Sequence, residues 1–447
     1  MRTCGFVCVA LLVVLATGGA GLQGNPEKEK GIAPKKFQPD WLDDPLYKAC
    51  DALVSWWPCD GHAYDLAGDR HAKACGPVTF DKGYRGAGFS FTEEYAAVTT
   101  RLRGPVDLTD TFTFALWVYP TAPREPTVAH AAQIQGVNGQ RYAIYPDHGL
   151  PDGKRAGCGI SVGTNGVGVF EHTNYYLPCV LAHDTPIKDW THLAVVYSEG
   201  QPTLYLNGAA VKTGVRSRMS VFPGSYFGDP SGAMWKYGPY LGRLDEPMLF
   251  SRALKEEEIK AILRASQPGK ELHPGRKIPP LSDAAFAELW SYLGGERAPR
   301  ALFAAQRLAA GGDDAVRRLL PVLLPRLDLG DDSVEGLIRR LDDDKFRERE
   351  RAMRLLLKAG ERVVPKLHAE LKGRPSLEAR ARIDWLLRRL ATKGLSPEQL
   401  RGVRAIAALS RIDTASSRAV LAELAEGPEE APKTLAARAA LEAKKEK

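Results

Sequence analysis

The chain has 447 residues, too many for one ordinary hydrophobic core, so two or more structural units are expected. Hydrophobic residues make up 44% and charged residues 26%, a balance that excludes a disordered chain. The formal net charge of +7 is mild for this length and no basic run is interleaved with stacking aromatics, so a nucleic-acid partner is not expected.

In chain order, Arg2 precedes a short apolar run from Phe6 to Ala16, followed by Gly18, Gly19 and Ala20, the three-part pattern of a secretory signal over residues 1–20. That run is too short to span a bilayer and no later segment is apolar enough. An exported protein, periplasmic or extracellular, is therefore expected. Residues 21–39 are rich in Lys, Pro and Glu and read as a flexible leader. Of seven cysteines, Cys4 and Cys8 leave with the signal, while Cys50, Cys59, Cys75, Cys158 and Cys179 remain. Cys59 with Cys75, bracketing the loop after the first strand, and Cys158 with Cys179, bracketing a hairpin, are the candidate disulfides; buried thiols are the alternative. None of the five has zinc-ligand spacing.

From Cys50 to Phe250 short strands alternate with Gly and Pro turns, which predicts an all-β sandwich over residues 40–265. Its clearest stretch is Trp190 to Val211. Leu193, Val195 and Tyr197 alternate with His192, Ala194 and Val196, then Leu204 and Leu206 with Thr203 and Tyr205, and Asn207-Gly208 supplies a tight turn: two consecutive hairpins. The glycine-punctuated Gly157 to Val169 is hairpin grammar again. Gly83 to Gly88 is glycine-rich where strand signals follow, which points to close backbone packing and not to a phosphate loop. Between Phe222 and Tyr240 aromatic residues crowd a loop-like stretch. Tyr226, Trp235, Tyr237 and Tyr240 are the candidate ligand-binding residues there, either closing a core or stacking on the C–H faces of a sugar.

These blocks resemble a known family. Trp190-Thr191-His192-Leu193-Ala194, then Tyr197, then Leu204-Tyr205-Leu206-Asn207-Gly208 is similar to the core of laminin-G-like, concanavalin A-like jelly-roll domains. FTFALWVYP (Phe112 to Pro120), LVSWWPCD (Leu53 to Asp60) and GRLDEPMLFSRALKEEEI (Gly242 to Ile259) agree in the same order. The resemblance implies a two-layer antiparallel sandwich. It also implies that the first and closing strands pair, which brings Asp60 near Asp245. With Asp65, these carboxylates are the candidate calcium ligands; the alternative is that Asp65 caps a turn and Asp245 accepts backbone hydrogen bonds.

Residues 266–280 form a Pro-rich linker, and from 281 to 447 every segment has helical period. Val334, Leu337, Ile338 and Leu341, then Phe346, Met353, Leu356 and Leu357, then Ile383, Leu386, Leu387 and Leu390, each lay one apolar stripe along a helix. Ser396-Pro397-Glu398-Gln399 predicts a capped helix start. Leu337 to Ile383 and Leu395 to Gly427 resemble the degenerate HEAT-like repeats of planctomycete-type bacterial proteins, which implies a stacked helical scaffold for a protein partner.

Catalysis is not expected. The paired carboxylates of a retaining glycosidase, delivered on one strand as E-x-D-x-x-E, are missing, and adjacent Asp245 and Glu246 on a regular strand point to opposite faces. The chain is expected to be an exported, non-catalytic binding protein. Its sandwich then recognises a glycan or an extracellular protein, and its helices bind a protein partner. A purely structural scaffold is the second reading, and a divergent glycoside hydrolase a remote third.

Overall fold

The computed structural model describes residues 45–100, 108–129, 139–147, 154–173, 176–230, 238–267, 280–295, 298–325, 332–390, 395–429 and 431–445. The signal and leader, most of the linker, Trp235 and Tyr237 lie outside these residues. In order come α1 (Pro45–Asp51), β1 (Leu53–Trp56), β2 (Lys73–Cys75), β3 (Val78–Lys82), β4 (Ala87–Phe91), β5 (Ala97–Thr99), β6 (Phe112–Pro120), β7 (Tyr142–Tyr145) and β8 (Arg155–Gly163). Next are β9 (Gly166–His172), β10 (Cys179–Asp184), β11 (Thr191–Ser198), β12 (Gln201–Leu206), β13 (Ala209–Thr213), β14 (Ser220–Pro223), β15 (Tyr226–Gly228) and β16 (Gly242–Phe250). The helices after the strands are α2 (Glu256–Ser266), α3 (Asp283–Leu293), α4 (Ala298–Ala309), α5 (Gly312–Leu323), α6 (Val334–Arg339), α7 (Phe346–Ala359), α8 (Val364–Lys372), α9 (Leu377–Leu390), α10 (Pro397–Ile412), α11 (Ala415–Ala425) and α12 (Pro432–Lys445).

The strands form two sheets, a sandwich as expected. The first runs β13-β12-β11-β6-β16-β4-β3, with β1 beside the far end of β16; the second runs β10-β9-β8-β7-β15-β5-β2, with β14 parallel to β8. Phe112, Phe114, Leu116 and Val118 of β6 and Leu193, Val195 and Tyr197 of β11 point inward and meet Val167, Val169 and Ile160 of the second sheet. The turns of the β11–β12 and β12–β13 hairpins fall at Glu199-Gly200 and Asn207-Gly208, all four residues with positive φ, as the sequence requires of tight hairpins.

The outward residues of the first sheet are apolar too, because helices cover them. Ala115, Ala194, Val196, Met248 and Phe250 join Ile259 and Ile262 of α2, Leu289 and Leu293 of α3, Leu302 and Leu308 of α4 and Ile406 and Leu409 of α10 in one core. Strands buried on both faces read as nearly continuous apolar runs, which is why both alternating sets of β11 are hydrophobic.

This arrangement differs from a linear stack of repeats, in which each unit touches only its neighbours. Helix α10 packs on α3, α4 and α5, and α11 on α5. The intervening α6–α9 build a separate core from Leu337, Leu341, Leu356, Leu367, Ile383 and Leu386. The predicted start of α10 is observed: Ser396 Oγ accepts from the Gln399 amide at 3.2 Å, and Gln399 Oε1 accepts from the Ser396 amide at 2.8 Å.

Neither candidate disulfide forms: Cys59, Cys75, Cys158 and Cys179 are unbridged, the buried-thiol alternative holding for Cys59, Cys158 and Cys179. Cys158 and Cys179 lie on β8 and β10 with β9 between them, two strand spacings or about 10 Å apart, beyond the reach of a disulfide. They also face different sides, Cys158 in the sandwich core and Cys179 on the outer side of the second sheet. Cys59 is wholly buried in the sandwich core, whereas Cys75 is half-exposed on the outermost strand β2.

Candidate functional site

The outer face of the first sheet is laid out in rows by the register of β6, β11 and β16. Ala115, Ala194 and Met248 form one row and Trp117, His192 and Asp245 the next; Tyr119 and Arg243 stand above them directly opposite each other. The chain entering β11 adds Trp190 at this level. The lower rows lie under helices, but Tyr119, Trp190 and Arg243 are part-exposed. Tyr84, from the β3–β4 loop, stacks on Trp117 with ring centroids 3.4 Å apart and meets Trp190 edge-on at 6.3 Å. Tyr119 and Trp190 are 5.6 Å apart, and the Arg243 guanidinium lies 4.5 Å over the first ring and 5.4 Å from the second. Beneath this aromatic platform His192 is 1% exposed, its Nδ1 has no hydrogen-bond partner among the described residues, and burial lowers its pKa to about 4, so the ring is neutral.

One layer deeper is a group of carboxylates. Strand β16 bulges between Asp245 and Met248, with Glu246 at φ +52°. That kink corrects the expectation that Asp245 and Glu246 face opposite sides, because a bulge turns successive side chains the same way. Both are buried beneath the outer face. Asp245 Oδ2 accepts from the Arg85 amide at 2.9 Å and Asp60 Oδ1 from the Ala87 amide at 3.1 Å. Trp56 Nε1 donates to Glu246, and Arg411 of α10 comes within 4.0 Å of its other oxygen. Desolvation, then the Glu246 charge, raises the pKa of Asp60 to about 7, and the same causes push Asp245 well above the usual carboxylate range. The glycines of the 83–88 segment are needed for this approach. A Cβ at Gly86, whose φ is +71°, would lie 2.0 Å from Asp60 Oδ1, and one at Gly83 2.7 Å from Asp245 Oδ2.

Asp60 and Asp245 thus come together, but with Glu246 and not with Asp65. Asp65 is wholly buried and gives Oδ1 to the amides of Trp56, Ala67 and Gly68, each at 2.9 Å, and Oδ2 to that of Arg70 at 3.2 Å. It ties the turn after β1. Among the described residues no group of three or more acidic, histidine or cysteine side chains has the geometry to hold a metal ion. The set Asp60, Asp65 and Asp245 therefore does not fit calcium, a hard cation that needs several free oxygens. Replacing Asp65 with alanine strands the buried amides of Trp56 and Ala67 and the part-buried ones of Gly68 and Arg70, and should cost about 2 kcal/mol of stability. Chemical denaturation would show it; an unchanged midpoint would mean the amides find other acceptors.

Two of the aromatic candidates are described. Tyr240 is in the sandwich core, 1% exposed, edge-on to Phe91 at 5.7 Å and donating to the Arg243 carbonyl at 3.1 Å. It closes the core and cannot serve as a surface platform. Tyr226 packs edge-on against Tyr145 at 6.4 Å on the outer side of the second sheet, beside Tyr142 and Phe170. The sequence reading missed Trp190, Tyr119, Tyr84 and Arg243 as site residues. The signal was present as Trp190 two residues before the first apolar pair of β11, but its neighbours come from three other segments.

An antiparallel two-sheet sandwich with a helical C-terminal region is the class of protein this architecture defines. Residues 92–260 match the family model Laminin_G_3, described as the concanavalin A-like lectin/glucanases superfamily. Among solved structures, Domain 4 of AbnA, a GH43 extracellular arabinanase from Geobacillus stearothermophilus in complex with arabinotriose, is 18% identical. That match covers 47% of this chain and 98% of that one, with a TM-score of 0.34. The binding domain of Paraclostridial Mosquitocidal Protein 1 is 15% identical over 48% of this chain and 53% of that chain, TM-score 0.34. The botulinum neurotoxin serotype D binding domain is 12% identical over 49% and 52%, TM-score 0.35. This chain thus spans about half the length of the two toxin-derived chains. No curated protein matches it.

Proposed function

We propose that this chain is an exported, non-catalytic binding protein that holds a glycan on the platform of Tyr84, Tyr119, Trp190 and Arg243. The observation that carries this reading is the platform itself: three aromatic rings and a guanidinium gathered on one sheet face, all part-exposed. Aromatic faces present an apolar surface to the C–H side of a sugar ring. The family description of residues 92–260 agrees in kind. The acidic groups nearest the platform support a non-catalytic role, since Asp245 and Glu246 are already held by backbone amides, Trp56 and Arg411. Export is supported by the signal pattern of residues 1–20.

The helical region offers a second contact surface. On α7, Arg347, Arg351, Arg354 and Lys358 lie along one exposed stripe at helical spacing, and among the described residues only Arg351 has a carboxylate near it, Asp332 at 3.5 Å. An acidic protein would dock there.

Electrophoresis of the full chain through gels containing soluble polysaccharides tests the glycan reading. Retardation by at least one polysaccharide is expected, with Trp190→Ala weakening it by about 10-fold or more, the loss of one well-placed ring. Equal retardation of the variant would remove the platform as the site, and free migration in every gel would remove the glycan.

A further inference from the structure

We infer that the platform selects glycans that carry carboxylates, uronate polymers, with Arg243 as the group that takes the carboxylate; this rests on the glycan reading above. Arg243 stands directly opposite Tyr119 across the β6–β16 ladder. Its guanidinium carbon lies 4.5 Å from the Tyr119 ring centroid and 5.4 Å from that of Trp190, and Nη1 donates to the Lys82 carbonyl at 2.7 Å. The fork is therefore oriented before any ligand arrives, and little side-chain entropy remains to be lost.

Its bonding capacity is not used up. Among the described residues Nε and Nη2 have no hydrogen-bond acceptor, and the nearest carboxylate, Asp81, is 3.9 Å from Nη1 with its side chain 55% exposed. That pair is too long for a hydrogen bond and is screened by solvent. The Arg243 side chain itself is 21% exposed, so a ligand can reach it. A guanidinium with two adjacent free donors matches a carboxylate in the bidentate mode, which a hydroxyl cannot reproduce. Beside it stand the part-exposed rings of Trp190 and Tyr84, against which the sugar that bears the carboxylate would pack. The neutral, buried His192 below adds no competing charge.

The experiment titrates the full chain with polygalacturonate and alginate, each against its methyl ester, which keeps the rings and removes the charge. A uronate polymer should bind about 10- to 100-fold tighter than its ester, the range of one charge-assisted contact, and the difference should shrink with added salt. Arg243→Met should bring acid and ester together while the chain still unfolds in one cooperative transition, and Arg243→Lys should keep part of the preference. Equal binding of acid and ester to the native chain would overturn the inference and leave the glycan reading intact. So would binding of neutral arabinan or galactan with neither uronate bound. Binding of none of these polymers would remove both.

Discussion

Replacing Arg404 with alanine should cost the chain about 3–5 kcal/mol, the largest single effect expected among its charged residues. Arg404 sits on α10, 2% exposed, and its fork donates to four carbonyls: Leu66 at 2.7 Å, Ala67 at 3.3 Å, Leu293 at 2.7 Å and Gly295 at 3.0 Å. Two of these belong to the turn after β1 and two to the C-terminal end of α3. Helix ends leave carbonyls without intrahelical partners, so one guanidinium satisfies the end of α3 and ties it to the sandwich. Burial lowers the Arg404 pKa to about 10, which still leaves it charged at neutral pH. Alanine removes every donor and leaves a cavity. Arg404→Met fills much of the volume but none of the bonds, so it should recover only part of the loss. Denaturant melts of both variants decide the matter; native-like stability of Arg404→Ala would mean that these four hydrogen bonds are not what joins the sandwich to the helices.

The second large effect depends on pH. Asp60 has its folded pKa raised from 3.8 to about 7. Such a group favours the folded state fully below the unfolded pKa, and that contribution is lost as pH rises through 7. A displacement of about three units corresponds to roughly 4 kcal/mol at most, and partial solvent access brings the expectation to about 3 kcal/mol. Asn can still accept from the Ala87 amide without the charge. Asp60→Asn should therefore melt several degrees above the native chain at pH 8 and level with it near pH 4. His62 and His192, both lowered to about 4 by burial, oppose acidification in the two proteins alike, so the comparison is read as a difference. A variant less stable than the native chain at pH 8 would show that the Asp60 charge is needed by Arg85 or Arg411.

Much of the sandwich is legible in the residues because period-two alternation and the Asn207-Gly208 turn are local signals. The glycines of 83–88 are legible as close packing, though not what they pack against, since Asp60 and Asp245 lie 23 or more positions away in sequence. The carboxylate group escapes a reading of β16 as a regular strand because one bulge at Glu246 reverses its facing. The helices are legible as helices from their apolar stripes. That α10 returns to α3 and α4 is not, because a stripe says which face is buried and not against what. The cysteine pairs fail for the same reason: bracketing a hairpin in sequence places Cys158 and Cys179 two strands apart in space. The platform combines residues from the β3–β4 loop, β6, the entry to β11 and β16, and no spacing rule joins four such segments.

The most direct test of the binding account is isothermal calorimetry of the full chain against soluble polysaccharides, with Trp190→Ala in parallel. The account predicts injection heats that saturate and return to baseline, and their loss in the variant. Heat that continues after each injection, with new reducing ends in the cell, would contradict it and make the protein an enzyme.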